Sequence, residues 1–310
     1  ALTWSYDGAA TVWNVATGAE VLEWKSGGGW AIRSTRVFPD GGRVVVCAAS
    51  NVCAVWDAAS GRELAAFYDA GVDSVEVFPS GERLLTWGRG ASPTIWRAAG
   101  GERLCQPRGH WAEVTSASVF PRGDLAITGS MDGCAILWNA SSCERVRRIL
   151  IGEPVRSVAV LKGGEAVAVI GFGGTTTIWD AASGALVRRF TGSAACHAEH
   201  FREIVAFPNS DVLATLGQTS TIIWNARTGA ELHRKCHSPR YAGGFALAPG
   251  GDVVAMCTGD GVTVWDAGGG AELHTPVERG AEPACLVALG LVGALDPQGF
   301  GGGLSWRELW

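Results

Sequence analysis

Residues 125–139 read LAITGSMDGCAILWN, in which two short apolar stretches flank the polar segment Ser130 to Gly133. Alternating apolar and β-branched residues around a Gly- and Asp-containing turn predict a hairpin of two β-strands. Trp138 ends the second stretch, and Asn139 follows it with a side chain that opens turns by bonding the backbone two residues on. This pattern, an apolar stretch closed by Trp and a turn residue, determines the fold because it recurs.

The same pattern occurs eight times along the chain. The tryptophans concerned are Trp13, Trp56, Trp96, Trp138, Trp179, Trp224, Trp265 and Trp306, separated by 43, 40, 42, 41, 45, 41 and 41 residues. Asp or Asn follows the Trp in six copies, and Gly stands five residues after it in six. Cys143 replaces that Gly in the fourth copy. A fixed period of this length is typical of repeat architectures.

Each repeat contains four predicted strands. One strand follows the Gly turn, as in Glu63 to Phe67, and two lie upstream of each Trp, the first often ending in Phe-Pro. No stretch shows a sustained 3.6-residue apolar period with caps, so almost no helix is expected. Four strands in about 42 residues make one blade of a β-propeller. The sequence therefore predicts an all-β propeller of four-stranded antiparallel blades, whose strands we letter a to d from the inside outwards.

The fourth copy carries a family resemblance. Gly109-His110 precedes its inner strand, Thr128 lies on the next strand, Asp132 is in the following turn and Trp138-Asn139 closes the third strand. At these offsets the chain resembles the WD-repeat family of β-propellers. The resemblance implies a buried hydrogen-bond relay of His110, Thr128, Asp132 and Trp138, and a non-catalytic scaffold for protein interactions. The other copies depart from the pattern, and those at Trp56, Trp96, Trp179 and Trp306 have no His at the matching offset.

The number of blades follows from the inner strands. Seven a strands are predicted, whereas b and c strands number eight, because the chain starts inside a b strand and stops just after a c strand. We predict one propeller domain over residues 1–310, with seven blades and eight as the alternative. Residues 1–24 would pair with residues 284–290 to close the ring. Residues 291–310 would form a surplus hairpin or part of an eighth blade.

Composition excludes several classes of function. Hydrophobic residues make up 47% and charged residues 18% of 310, as in a packed globular chain. The net charge is −5, and the sequence has no cluster of basic residues. We therefore predict no nucleic-acid partner. The longest nearly apolar run, residues 284–295, is too short to cross a membrane, so no membrane partner is predicted.

The nine cysteines are odd in number and contain no CxxC motif. We interpret them as reduced, mostly buried thiols in a reducing compartment, which predicts a cytoplasmic protein. Cys196-His197-x-x-His200 and His233-x-x-Cys236-His237 could supply zinc ligands from adjacent blades, but their spacings match no tight zinc pattern. We therefore predict no metal site and no cofactor, and keep a metal- or ligand-binding or catalytic propeller as an alternative.

Enzyme motifs are absent: the sequence has no GxxxxGK[ST], HExxH or GxSxG. Residues 171–175, Gly-Phe-Gly-Gly-Thr, are interpreted as a turn between strands of a blade because no helix follows them. Arg147-Arg148 and Arg188-Arg189 lie on outer d strands and are interpreted as solvated edge residues. The protein is therefore predicted not to be an enzyme.

The predicted binding surface lies on the face formed by the d–a connections and b–c turns. Exposed Trp, Tyr and Arg are the residues that anchor protein interfaces. The candidate partner-binding residues are Trp30, Arg89, Trp111, Glu113, His200, Arg202 and Tyr241. We predict a protein or peptide partner for a monomeric propeller or for part of a longer chain. The alternative is a structural or sensor segment of a larger multidomain protein.

Overall fold

The structure, a computed structural model, describes most of the chain up to residue 287. The described residues are 2–4, 9–14, 19–25, 30–90, 92–191, 201, 203–207, 210–217, 220–236, 242–247, 253–258, 261–266, 272–274 and 285–287.

These residues form short strands. The first fourteen are β1 (Leu2–Trp4), β2 (Ala9–Asn14), β3 (Ala19–Lys25), β4 (Ile32–Val37), β5 (Arg43–Ala48), β6 (Val52–Asp57), β7 (Glu63–Tyr68), β8 (Val72–Val77), β9 (Arg83–Gly88), β10 (Thr94–Arg97), β11 (Arg103–Cys105), β12 (Val114–Val119), β13 (Leu125–Ser130) and β14 (Cys134–Asn139). The remaining fourteen are β15 (Arg145–Leu150), β16 (Val155–Val160), β17 (Ala166–Gly171), β18 (Thr175–Asp180), β19 (Leu186–Thr191), β20 (Glu203–Ala206), β21 (Val212–Leu216), β22 (Ser220–Asn225), β23 (Glu231–Cys236), β24 (Ala242–Leu247), β25 (Val253–Thr258), β26 (Gly261–Asp266), β27 (Glu272–His274) and β28 (Cys285–Val287). One 3-10 turn, Lys162–Gly164, is the helical segment among the described residues.

Within the described chain, the strands form seven four-stranded antiparallel sheets. Six sheets are made of consecutive strands, beginning with β4–β7 and ending with β24–β27. The seventh has the order β28-β1-β2-β3, so a strand near residue 286 pairs with the first strand of the chain. The predicted all-β fold of four-stranded antiparallel blades is confirmed.

We number the blades by their outer strands, so that β3 closes blade 1, β7 closes blade 2 and β27 closes blade 7. Blade 1 combines Cys285–Val287 with Leu2–Trp4, Ala9–Asn14 and Ala19–Lys25. Residues 288–310 lie outside the described residues. The choice between seven and eight blades, and the fate of residues 291–310, therefore stay predictions.

In blades 2, 4, 5 and 6 the turn after the repeat tryptophan is built by its Asp or Asn side chain. Asp57 accepts hydrogen bonds from the backbone and hydroxyl of Ser60, and Asn139 accepts from two backbone amides. The hydrogen bond from the Ser60 hydroxyl, then that from its amide, lowers the pKa of Asp57. In each of the seven described sheets the outer strand has one extra residue where it pairs with the Trp strand, as between Val12 and Trp13 and between Leu137 and Trp138. The repeated turn thus sets the same kink in each outer strand.

The hydrophobic core lies between blades. One cluster joins Phe38 and Val55 of blade 2 with Leu84 of blade 3, and further clusters join blades 3 and 4, 4 and 5, 5 and 6, and 6 and 7. Trp87 is buried in the cluster between blades 3 and 4. Each sheet therefore buries its faces against its neighbours, as stacked repeats require.

Serine side chains join neighbouring inner strands at equivalent positions. Ser34 accepts the Val75 amide at 3.3 Å, and Ser157 accepts the Ile204 amide at 3.2 Å. Ser116 accepts the amide of Val158 in the same way, at 3.1 Å. The residue that pairs with each serine faces the next blade.

The volumes of these facing residues compensate across the junction. Trp87, paired with Ser74, packs with Ala117 of the next blade. Gly129, paired with Ser116, faces the larger Val155 and Val158, and a Cβ atom placed on Gly129 would lie 2.9 Å from Cγ1 of Val158. One junction thus joins a large residue to a small one, and the next joins a small residue to a large one.

Four cysteines correct the interpretation of reduced thiols. Cys47 is disulfide-bonded to Cys53 within blade 2, and Cys105 to Cys143 across blades 3 and 4. Cys134 and Cys236 are free thiols. The odd count and the missing CxxC motif were uninformative, because these pairs are set by strand register and blade packing. The cytoplasmic location stays a prediction, and no described helix has the length and apolarity needed to cross a membrane.

The junction between blades 4 and 5 is predicted not to tolerate a side chain at position 129. Gly129→Ala should lower the free energy of unfolding by about 1–3 kcal/mol, because the added methyl overpacks against two valines. Gly90→Ala is the matched control, since nothing lies within 4 Å of its added Cβ. Urea unfolding of the two variants would contradict this packing if both lost the same stability.

Candidate functional site

The relay residues of blade 4 come together in one chain of hydrogen bonds. The indole Nε1–H of Trp138 donates to Thr128 Oγ1 at 2.8 Å. Thr128 Oγ1 lies 2.8 Å from His110 Nε2, and His110 Nδ1 lies 2.8 Å from Asp132 Oδ2. Since Thr128 already accepts from the indole, its single hydroxyl proton points to Nε2. His110 then carries its proton on Nδ1 and donates to the carboxylate.

Burial and charge set the ionisation of this chain. Burial lowers the pKa of His110 below its ordinary 6.5, and outweighs the opposing effect of Asp132. Burial acts to raise the pKa of Asp132, but hydrogen bonds from His110 and from the amides of Trp111 and Cys134 outweigh it and lower this pKa. The pair is therefore a neutral imidazole donating to a carboxylate.

Blade 3 contains a second relay that the sequence did not predict. Trp96 Nε1 donates to Thr86 Oγ1 at 2.8 Å, and the Thr86 hydroxyl donates to Asp69 Oδ2 at 2.5 Å. Burial raises the pKa of Asp69 despite this hydrogen bond. The signal was present: Asp69 precedes Trp96 by 27 residues, while His110 precedes Trp138 by 28. Here a carboxylate takes the place of the imidazole.

In blades 5 and 6 the indole also finds a threonine. Trp224 donates to Thr215 at 2.9 Å, as Trp96 and Trp138 do to their own threonines. Trp179 instead donates to Thr177 on its own strand, at 2.8 Å. The indole–threonine bond is thus the common element of these blades, whereas the groups beyond the threonine vary.

Of the exposed candidates, Trp111 is bonded directly to the relay. Trp111 is 72% exposed, although its neighbour His110 is buried, and its backbone amide donates to Asp132 Oδ2 at 3.2 Å. Trp30 is 52% exposed just before β4, and the Arg89 side chain is 70% exposed just after β9. Glu113, exposed, precedes β12 and its carbonyl accepts the Met131 amide. These residues lie on d–a connections and b–c turns, as the sequence predicts.

Charged residues link the inner strands of blades 2 and 3 and the b–c turn of blade 3. Arg33 Nη1 lies 2.5 Å from Asp73 Oδ1, and Arg89 Nε lies 3.7 Å from Asp73 Oδ2. The carbonyl of Gly90 accepts the Val114 amide at 3.4 Å, which brings the b–c turn of blade 3 against blade 4. Arg89 and the loop of Trp111 are therefore neighbours.

Met131 belongs to this surface and was missed. It lies in the b–c turn of blade 4 and is 37% exposed. Met131 precedes Trp138 by seven residues, and Arg89 precedes Trp96 by seven, so the two residues occupy equivalent positions in their b–c turns. We refer to Arg89, Trp111, Glu113 and Met131 as the docking patch.

Other candidates lie outside the described residues. These are His200, Arg202 and Tyr241, and also Cys196, His197 and His237 of the proposed zinc ligands. Among the side chains that the structure describes, no group of three His, Cys, Asp or Glu residues could hold a metal ion. Their roles stay predictions.

The glycine-rich segment 171–175 forms the b–c turn of blade 5, between β17 and β18. The Gly173 amide donates to Glu153 at 2.6 Å, and the Arg156 guanidinium lies 4.7 Å from the centre of the Phe172 ring. The backbone amide of Gly173 is therefore already bonded to a carboxylate of the protein, that of Glu153.

Inner strands enclose a cavity of about 430 Å³ along the middle of the described blades. Its lining is mixed: Arg36 forms an ion pair with Glu76 at 3.2 Å, and Ser74, Ser116 and Trp87 also contribute. The charges of this pair are satisfied by each other, so the cavity wall offers no unpaired cation or anion there.

Comparison with known proteins supports the resemblance. Residues 101–139 match the family model described as WD domain, G-beta repeat. This segment contains His110, Thr128, Asp132 and Trp138, so the chain carries a WD repeat where the relay is complete. A search of curated proteins finds no match to the chain.

The depressed pKa of His110 predicts a pH-dependent stability. Its contribution should be full above the ordinary value of 6.5 and be lost as the pH falls towards the lower folded value, because the unfolded chain then binds the proton more readily. Unfolding free energies of the parent and His110→Gln chains, measured from about pH 5 to 7.5, should differ in slope. Equal slopes would show that the parent's pH dependence does not come from His110.

The relay of blade 3 is predicted to tolerate an amide. Asp69→Asn keeps an oxygen that accepts the Thr86 hydroxyl and removes a buried charge, so stability at pH 7 should be unchanged or higher. Asp69→Ala removes the acceptor and should cost about 1–2 kcal/mol. If urea unfolding showed that Asn is as damaging as Ala, the carboxylate itself would be required.

Proposed function

We propose that the protein is a non-catalytic scaffold that binds a protein or peptide partner through the docking patch. The WD repeat suggests a protein-interaction scaffold in general, and WD40 domains are generally non-catalytic. The finer proposal concerns the face: the d–a connections and b–c turns of blades 3 and 4 contact the partner. Trp30 and Arg33 of blade 2 extend this surface.

The exposure of Trp111 on a fixed backbone is the observation that carries the proposal. The indole is 72% exposed, yet the amide of the same residue donates to the buried Asp132 carboxylate. Asp132 is held in turn by His110 and by the Cys134 amide at 3.0 Å. A large aromatic side chain is thus presented on a backbone already ordered, which reduces the entropy lost on binding. Exposed tryptophan in such a setting is a typical hot spot.

The neighbours of Trp111 indicate what the partner offers. Met131, whose amide donates to the Glu113 carbonyl, adds an adaptable apolar side chain to the same pair of loops, and methionine is frequent at adaptable binding surfaces. Arg89 is exposed and lies 3.7 Å from Asp73, so its guanidinium can still donate hydrogen bonds to a carboxylate of the partner. We therefore favour a partner segment with an apolar anchor for Trp111 and Met131 and an acidic residue near Arg89.

Selection of peptides from a random library on the purified chain tests the proposal. The tightest peptide is then measured by calorimetry against Trp111→Ala, which should weaken binding by about 30-fold or more. Trp111→Ala keeps the amide that bonds Asp132, so the fold is retained. Arg89→Ala should mainly slow association and reduce its dependence on salt.

Val146→Ala is the matched control for this experiment. Val146 is an exposed apolar residue on the outer strand of the same blade, away from the b–c turns. Its loss should leave affinity within about twofold, since surface substitutions outside an interface have small effects. Peptides that bind Trp111→Ala as tightly as the parent chain would refute the docking patch.

A further inference from the structure

The outer strand of one blade contacts the c–d turn of the next. Arg147 of blade 4 donates from Nη1 to the Ser183 carbonyl at 2.8 Å and from Nη2 to the Ala182 carbonyl at 2.5 Å. A Cβ atom placed on Gly184 would lie 2.6 Å from Cδ of Arg147. The arginine predicted to be a solvated edge residue therefore joins two blades, and it does so against the turn glycine.

The same contact recurs one blade further on. A Cβ atom on Gly229 would lie 3.0 Å from Cδ of Arg188. Arg147 pairs with Leu137, and Arg188 pairs with Ile178, so the two arginines occupy one register position, just past the bulge opposite the Trp. The side chain at this strand position therefore lies against the turn glycine of the next blade, close to where a side chain on that glycine would be.

At the junction of blades 3 and 4 both members of this contact are cysteines. Cys105 pairs with Ile95 and so occupies the arginine position, while Cys143 occupies the turn position that is glycine in the equivalent turns. The two residues are disulfide-bonded, 38 positions apart in the chain, with Cα atoms 6.2 Å apart. That Cα separation lies in the usual range for disulfides.

Cys143 stands where a side chain is unfavourable. Its φ is 58°, in the left-handed region, and the matching glycines have φ values of 65° at Gly61, 67° at Gly101, 71° at Gly184 and 79° at Gly229. A non-glycine residue in this region is strained unless its surroundings compensate. The bond to Cys105 is the compensation that the structure shows.

We propose that the Cys105–Cys143 bond is a reversible redox site that fastens blade 3 to blade 4. Both residues are half-buried and pack at the edge of the core between blades 3 and 4, so this disulfide lies nearer to solvent than one in the core. Cys47 and Cys53, in contrast, are fully buried in the core of blades 2 and 3 and lie on directly paired strands six residues apart. The two disulfides therefore differ in how far their cysteines are exposed to solvent.

The chemistry is thiol–disulfide exchange with a dithiol reductant. A thiolate of the dithiol attacks one sulfur, the protein S–S bond breaks, and the other cysteine leaves as a thiolate that takes up a proton. The second thiol of the reductant then resolves the mixed disulfide. Overall, the protein disulfide gains two electrons and two protons, and the dithiol is oxidised to its own disulfide. A small-molecule disulfide reverses the step.

Reduction would act on the weakest outer strand among blades 2 to 6. The outer strand of blade 3, Arg103–Cys105, has three residues, whereas those of blades 2, 4, 5 and 6 have six. The bond fixes the end of this short strand, from which residues 106–113 lead to His110 and Trp111. With the bond open, we expect faster hydrogen exchange in residues 103–109.

The test measures reduction of each bond in the folded chain. The oxidised protein is treated with dithiothreitol under native conditions, quenched with an alkylating reagent and mapped by mass spectrometry. Cys105 and Cys143 should be alkylated at least about tenfold faster than Cys47 and Cys53, since exchange rates follow access of the thiolate to the sulfur. Reduction should also lower the Tm by about 5 °C, and glutathione disulfide should restore it.

The control is the double variant Cys105→Ser, Cys143→Gly. It restores glycine to the turn, so it should fold, and its Tm should not respond to dithiothreitol under the same conditions. The proposal is wrong if the oxidised parent chain has Cys105 and Cys143 as free thiols. It is also wrong if their bond is reduced no faster than Cys47–Cys53, or if the double variant responds to the reductant as the parent chain does.

Discussion

A four-stranded sheet of this size cannot bury both of its faces by itself, and the described structure follows from that constraint. Each blade supplies one wall of the core for its neighbour, so residues must be matched in volume across a junction. Trp87 opposite Ala117 and Gly129 opposite Val158 are two solutions to the same requirement. At both junctions the two facing positions together fill the space between the blades, although the individual residues differ.

The buried indoles of blades 3, 4 and 6 place a second requirement on the structure. An indole N–H removed from water needs an acceptor, and Thr86, Thr128 and Thr215 provide it in three blades. The group that bonds to the threonine hydroxyl determines whether the hydrogen bonds continue into other parts of the blade. In blade 4 the bonds continue through His110 to Asp132, which also accepts the amide of Trp111 and so fixes the connection next to the docking patch.

The sequence predicted the features that are encoded locally. The spacing of the tryptophans, the Asp or Asn turn after them and the strands on either side are all readable within a single repeat, and the complete relay of blade 4 has its residues at recognisable offsets. Asp69 and Met131 also follow from offsets, but only when a residue type other than the expected one is accepted at each position. Asp69 was not predicted because a histidine was expected at its position.

Contacts between repeats were harder to predict. The partner of Cys105 is Cys143, one blade away, and the carbonyls bound by Arg147 belong to Ala182 and Ser183 of the next blade. Such pairs depend on the register of two strands and on how neighbouring sheets pack, neither of which a residue count reveals. The substitution of Cys143 for a turn glycine was visible in the sequence, yet its meaning required knowing which side chain faces that turn.

Two adjacent residues, His110 and Trp111, have separate roles: the first stabilises the blade and the second is exposed to a partner. His110 is directed into the blade and Trp111 out of it, so the backbone between them serves the fold while only one side chain is free to contact a partner. Replacing Trp111 changes the surface without removing the amide that bonds Asp132, whereas replacing His110 removes a partner from both Thr128 and Asp132. Specificity can therefore change at the exposed position at little cost in stability, because the groups that order the loop are main-chain atoms and buried side chains.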